Sequence, residues 1–290
     1  MKYDKYPARG LPRRTALCLG LLGAYQLAIA PDAHTPRRPG AAGRAAAEDG
    51  KPLARAASRQ RPAAGHPAAR TGAAAMTTSG GMARIAGPTR PVVVRAAPHT
   101  TLRQTGKKIA LTFDDGPHAT QTPAILRILR RHRARATFFV IGENIPFNRD
   151  VLRRIAADGH AVGNHSYTHP QLDLISTPRV NEELERCSEL VAKELGAPPR
   201  LARAPYGMWH GPSLAACARL QMEPFQWDID TLDWDNRDQR FIETTVLGGA
   251  HPGAIVLAHD GGGNRWATVR ALEYYLPRLL DEGYTLAQPA

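Results

Sequence analysis

From residue 107 onward the sequence predicts an α/β fold, a distorted (β/α) barrel of about seven strands. Three observations predict it. Short apolar runs alternate with amphipathic stretches at the spacing of strand–helix units, which argues for parallel strands. Helix start and stop signals fall in the gaps between the runs. Polar residues able to do chemistry sit at the ends of five different runs. The alternation alone fits a compact barrel or an open sheet. The polar residues separate the two, because α/β barrels collect their chemistry on loops at the carboxyl ends of many strands.

Strand candidates begin near Lys108, Ala136, His160, Arg200, Glu223, Ala254 and Tyr284. The first, 109-IALTFDDGPH-118, runs into the adjacent carboxylates Asp114 and Asp115 and turns at once on Gly116-Pro117. Successive extended residues send their side chains apart, so the two aspartates are expected to take distinct roles. His165 and His169 follow the third strand, and Arg203 ends the fourth. Asp230 and Asp233 follow the fifth, and His259-Asp260 end the sixth. The clearest helix is 176-STPRVNEELERCSELVAKELG-196, with Thr177 as N-cap, Pro178 in the first turn and Gly196 as the stop.

The N-terminal third has a different composition. Residues 1–105 carry 17 Lys+Arg against 4 Asp+Glu, whereas residues 106–290 carry 21 against 22. The formal charge of +12 therefore belongs to the arm, and the compact part is neutral. A nucleic-acid-binding domain would carry the positive charge on its own face, so no nucleic acid partner is expected. Residues 1–30 read as a cleaved signal peptide or an uncleaved membrane anchor. Basic residues precede the apolar run 15-TALCLGLLGAYQLAIA-30, which ends in a small-x-small pattern. Residues 31–106 are rich in Ala, Pro, Arg and Gly with hardly any aromatics. That composition predicts a disordered basic linker, either a passive tether or an arm contacting anionic wall or membrane polymers. Residues 107–290 are expected to form the one compact domain, the part that carries the candidate chemistry. The location implied is secreted or cell-surface, with a monomer expected.

Two neighbouring carboxylates repel, and a bound cation keeps both useful. In 163-GNHSYTHP-170 the i, i+4 spacing of His165 and His169 would place both imidazoles on one face of a helical turn. Two histidines and one aspartate make a site that leaves a coordination position open. The second aspartate is then free to act as a base.

The segments 112-TFDDG-116, 165-HSYTH-169, 203-RAPY-206, 230-DTLDW-234 and 255-IVLAHD-260 resemble, in order and spacing, the five motifs of the polysaccharide deacetylases. This is the NodB-homology group, carbohydrate esterase family four. The resemblance spans about residues 107–287. It implies that Asp115, His165 and His169 hold one divalent metal ion, zinc first with cobalt or manganese as alternatives. It further implies that Asp114 is the general base, paired with Arg203, and that the backbone N–H of Tyr206 is an oxyanion donor. His259 would be the catalytic acid, oriented by Asp233. Trp234 and Leu257, with Tyr206, would line the substrate groove. Asp230 and Asp260 would play supporting roles.

The chemistry is coherent without the family. A metal lowers the pKa of bound water from 15.7 to about 7. Metal and a backbone N–H can stabilise an oxyanion, and a histidine held by a carboxylate can protonate a departing amine. The expected substrate is an acetylated cell-wall or extracellular polysaccharide. Peptidoglycan N-acetylglucosamine comes first, then chitin oligomers, then O-acetyl xylan. A non-catalytic wall-glycan-binding protein is the rival class. Trp209, His210 and Trp266 are loop candidates for sugar stacking. His118 and His160 read as a loop residue and a strand-start residue. Cys187 and Cys217 both fall on inward helix faces, where a buried thiol and a disulfide are each compatible with the pattern.

Overall fold

The computed structural model describes residues 93–103 and 106–289. The expected signal segment and most of the basic arm therefore lie outside the described residues. Strand β1 (Lys108–Asp114) shows how the domain is layered. Its odd-numbered residues Ile109, Leu111 and Phe113 enter the large core beneath the helices. Ala110 faces a smaller cluster on the other side of the sheet, and Thr112 and Asp114 share its face by the two-residue period of a strand. Strand β7 (Ile255–His259) repeats the pattern: Val256 and Ala258 join the helix-side core, and Ile255 joins the inner cluster. Leu257 and His259 thus lie above Ile255 on the inner face.

Between these strands run α1 (Gln121–Arg131), β2 (Thr137–Val140), α2 (Arg149–Ala157), β3 (Ala161–Asn164) and α3 (Thr177–Leu195). Next come β4 (Leu201–Ala202), α4 (Gly211–Arg219), β5 (Glu223–Pro224), β6 (Ile229–Asp230) and α5 (Gln239–Gly249). After β7 the chain finishes with α6 (Trp266–Asp281) and β8 (Thr285–Leu286). The strand order is β5-β4-β3-β2-β1-β7-β6, every pair is parallel, and β8 attaches to β1. Seven strands thus form the curled path expected, with β5 and β6 at its two ends.

One local expectation is corrected. The N-cap of α3 is Ser176, whose extended backbone (φ −67°, ψ 153°) precedes the helix, while Thr177 is already helical. Gly196 does end the helix, in the left-handed conformation at φ 82°. Asp230 follows β5 as expected and itself ends a further two-residue strand, β6. Cys187 and Cys217 are free buried thiols, packed in different core clusters.

Residues 93–103, which composition groups with the linker, lie against the domain. His99 bridges to Phe225 just beyond β5, and the Leu102 N–H bonds to Gly253 O just before β7. Arg95 forms a two-pronged pair with Glu223 at 2.8 and 2.9 Å. Leu102 is buried among Phe139, Leu201, Phe225 and Ile255. This strap therefore touches the β5 end of the sheet path and the loop that enters β7.

Candidate active site

The carboxyl ends of the strands carry a buried polar cluster. Asp114, Asp115, His165, His169, Arg203, Asp233 and His259 are each less than a tenth exposed. β1 ends at Asp114, and Asp115 takes a left-handed conformation at φ 71°. The two aspartates are therefore not successive extended residues, and their side chains do not diverge as expected. The turn brings both onto one imidazole: His165 Nε2 lies 3.6 Å from Asp114 Oδ2 and 3.4 Å from Asp115 Oδ1. Gly116 is required there, since a Cβ would fall 2.3 Å from a carboxylate oxygen of Asp260.

The two histidines meet through a loop rather than a helical turn. Ser166 and His169 have φ of 66° and 61°, which no helix allows. The rings nonetheless lie 4.9 Å apart, and His169 Nε2 is 3.3 Å from Asp115 Oδ1. His165 Nδ1 donates to the Arg203 carbonyl at 2.8 Å, which turns the Nε2 lone pair toward the aspartates. One ligand atom from each of Asp115, His165 and His169 lies within 4.8 Å of the others, and all three residues are buried. Asp115 Oδ1 has no hydrogen-bond donor although it is fully shielded from solvent. Two nitrogens, one orphaned carboxylate oxygen and a left-over coordination position fit a divalent ion. Burial alone would raise the Asp115 carboxyl, yet His169 and His165 hold it well below the usual carboxylate range. Burial lowers His169 to about 4, so its ring is neutral at physiological pH, the form that ligates a metal.

On one side of this triad stands Asp114. Arg203 donates from Nη1 to Asp114 Oδ1 and to Thr112 Oγ1, both at 2.8 Å, and from Nη2 to the Gln226 carbonyl at 2.8 Å. Its guanidinium also lies 4.2 Å from the Phe139 ring centre. Thr112 and Gln226 occupy donors that the pair with Asp114 leaves over, while the buried Arg203 Nε has no hydrogen-bond partner. On the other side, His259 Nδ1 is 2.6 Å from Asp233 Oδ1, and its backbone N–H donates to Oδ2 at 2.9 Å. Thr268 donates to the same Oδ2 at 2.6 Å, and Arg265 donates to the Asp233 carbonyl at 2.9 Å. Burial opposes a charge on His259, but Asp233 overrides it and raises the imidazole to about 9.

The remaining candidates separate. Tyr206, at φ 61°, sits in a short 3₁₀ turn (Pro205–Gly207), and its ring meets His169 at 4.8 Å. Leu257 is buried in mid-strand beside Thr112. Trp234 is half-buried in the turn that carries Asp233. Asp230 accepts from the Leu232 N–H and shapes that turn. Asp260 accepts from Thr122 Oγ1 and is pushed by burial to about 7. Trp209 packs on a core cluster, His210 forms the N-terminal cap of α4 with Ser213, and Trp266 is exposed at the start of α6. His118 accepts from the Thr120 and Gln121 N–H groups in the loop before α1. His160 accepts from the Ala136 N–H just before β3.

Thr112, Gln226, Arg265, Thr268 and Glu183 escaped sequence reasoning. Each acts through a partner distant in sequence, and no short spacing marks it.

The profile of the polysaccharide deacetylase family matches residues 101–225, which holds the triad, Asp114 and Arg203 but stops before Asp233 and His259. A chitooligosaccharide deacetylase of Bradyrhizobium sp. (strain ANU 289) is 38% identical over 192 residues, covering 62% of this chain and 88% of its own. A peptidoglycan-N-acetylglucosamine deacetylase of Bacillus cereus is 36% identical over 177 residues, or 61% of this chain and 64% of that enzyme. The crystal structure of the Bc1960 peptidoglycan N-acetylglucosamine deacetylase superposes with a TM-score of 0.63 at 33% identity, covering 65% of this chain and 88% of that one. The chain belongs to the polysaccharide deacetylase family, hydrolases acting on carbon–nitrogen bonds.

Proposed function

We propose that the protein is an exported, metal-dependent enzyme that removes the N-acetyl group from peptidoglycan N-acetylglucosamine. The observation that carries the reading is the flanking of the triad by two oppositely suited groups. Asp114 is held by a guanidinium on one side, and His259 by a carboxylate on the other. The relatives named for peptidoglycan and for chitooligosaccharides support the substrate class, and chitin oligomers are the second candidate. The long basic arm favours a wall polymer over a soluble oligomer, and O-acetyl xylan comes third.

A divalent ion on Asp115, His165 and His169, zinc in first place, would supply Lewis acidity toward water and the acetyl carbonyl. Asp114, paired with Arg203, takes a proton from the attacking water. The backbone N–H of Tyr206 faces the developing oxyanion. His259 delivers its proton to the amide nitrogen as the carbon–nitrogen bond breaks, so that acetate and a free amine leave. Asp233 holds the imidazole with one nitrogen committed and the other available for that transfer. Trp234 and Leu257 border the acetyl group. Acetate release should be compared on peptidoglycan, chitin oligomers and acetyl-xylan. Fastest release from peptidoglycan supports the assignment, and release confined to xylan overturns it.

A further inference from the structure

The loop 165–169 carries both histidines, and every backbone N–H in it has a fixed partner. His165 N–H bonds to Val140 O, Ser166 O accepts from Gly142, and Tyr167 O accepts from Glu143. Ser166 N–H bonds to the Asn164 side chain, and His169 N–H to the Ser166 hydroxyl. The two remaining N–H groups, of Tyr167 and Thr168, both donate to Glu183 Oε2, at 2.9 and 2.7 Å. The Thr168 hydroxyl donates to Glu183 Oε1 at 2.8 Å, and Arg179 reaches the same oxygen at 3.3 Å. Glu183 lies on α3, outside the site motifs, and is 2% exposed.

A buried carboxylate costs several kcal/mol unless its lone pairs are occupied. Here four donors occupy them, and three belong to the segment between the two histidines. The left-handed residues Ser166 and His169 would not hold that shape unaided. We infer that Glu183 is a positioning residue for the metal site: its carboxylate fixes the loop so that His165 and His169 converge on Asp115. An apolar or merely space-filling residue would leave two backbone donors unpaired in the interior, and the loop would relax to satisfy them elsewhere. Outer partners of metal-site histidines are typically worth 10–100-fold in affinity, although they touch no metal.

The inference rests on Asp115, His165 and His169 holding a divalent ion, and the test separates the two claims. The full chain, stripped of metal, would be titrated with Co²⁺ against a chromophoric chelator, and the Co²⁺ absorption spectrum recorded. Glu183→Ala should weaken Co²⁺ by about 10–100-fold and alter the spectrum, with Glu183→Gln recovering part of the loss. A general structural role would lower the melting temperature of the metal-stripped protein without moving the spectrum or the affinity. A folded Glu183→Ala chain with wild-type affinity and spectrum overturns the inference while leaving the metal site standing. A wild-type chain that binds no ion overturns both. Should Glu183→Ala fail to fold, Thr168→Val and Glu183→Gln decide the matter. Each deletes or reverses one bond to the loop, and wild-type affinity in both overturns the inference.

Discussion

Asp114 and His259 occupy paired positions in the parallel ladder of β1 and β7, and each is held by a partner from another part of the chain. Arg203 reaches Asp114 from the end of β4, and Asp233 reaches His259 from the turn after β6. The ladder sets the spacing of the two groups, while the partners give them opposite surroundings, a guanidinium for Asp114 and a carboxylate for His259. Base and acid then differ in environment more than in place.

Removing Arg203 would leave the Asp114 carboxylate buried without its cation. Arg203→Met should therefore cost about 3–5 kcal/mol of stability, the usual penalty for breaking a buried pair from one side. Activity should fall at least 100-fold in the fraction that still folds, on the order of a lost catalytic electrostatic contact. Urea unfolding and acetate release check the two numbers separately. Wild-type stability in the variant would show that the guanidinium does not support Asp114.

His259 matters only as far as the leaving group needs a proton. An amine leaves badly as an anion, whereas an alkoxide of a sugar needs less help. His259→Ala should therefore reduce cleavage of an N-acetyl amide more than cleavage of an O-acetyl ester. Comparing both substrates in one preparation decides it, and equal losses would argue against the acid role.

The pH dependence has a defined sign. His259 is raised from its ordinary 6.5 to about 9, so it stays protonated through neutrality and loses its proton only near the upper value. The stability that the His259–Asp233 pair contributes is fully present below about 6.5 and is lost as pH rises toward 9. Activity should fall along the same alkaline limb. Asp233→Asn removes the anion that raises the imidazole, so the limb should move to lower pH. A limb that stays in place would assign it to another group.

The strap 93–103 should behave as part of the domain. A chain beginning at residue 106 loses the burial of Leu102, worth about 1.5–3 kcal/mol, together with the Arg95–Glu223 pair. At about 2–4 °C per kcal/mol, its melting point should drop by roughly 5–10 °C relative to a chain beginning at residue 93. Equal melting points would make the strap an ornament. The contact also continues inward, because the Gln226 N–H bonds to His99 O while the Gln226 carbonyl accepts from Arg203.

Seven of the eight strands were legible because apolar runs such as 109-IALTF-113 are bounded by turn residues. β6 was not, since it follows β5 within a few residues and no helix separates the two. The residues of the triad and its flanking pairs were legible because they lie in short motifs at strand ends. Their conformations were not. The left-handed turns at Asp115, Ser166 and His169 lie in segments tied to distant residues, Asn144 on the Asp115 carbonyl and Gly142 and Glu183 on the histidine loop, and local spacing holds no trace of them. For the same reason the i, i+4 spacing of the histidines named the right residues with the wrong backbone. The strap was hidden by its neighbours: Leu102 is an isolated apolar residue at the end of a basic, proline-rich stretch.

The central claim is that Asp115, His165 and His169 hold the ion on which deacetylation depends. Acetate released from an N-acetylglucosamine oligomer by the full chain tests it most directly, measured as prepared, after chelation, and after zinc is restored. The account predicts release that chelation abolishes and zinc recovers in the wild type but not in Asp115→Asn. Release that survives complete removal of metal would contradict it.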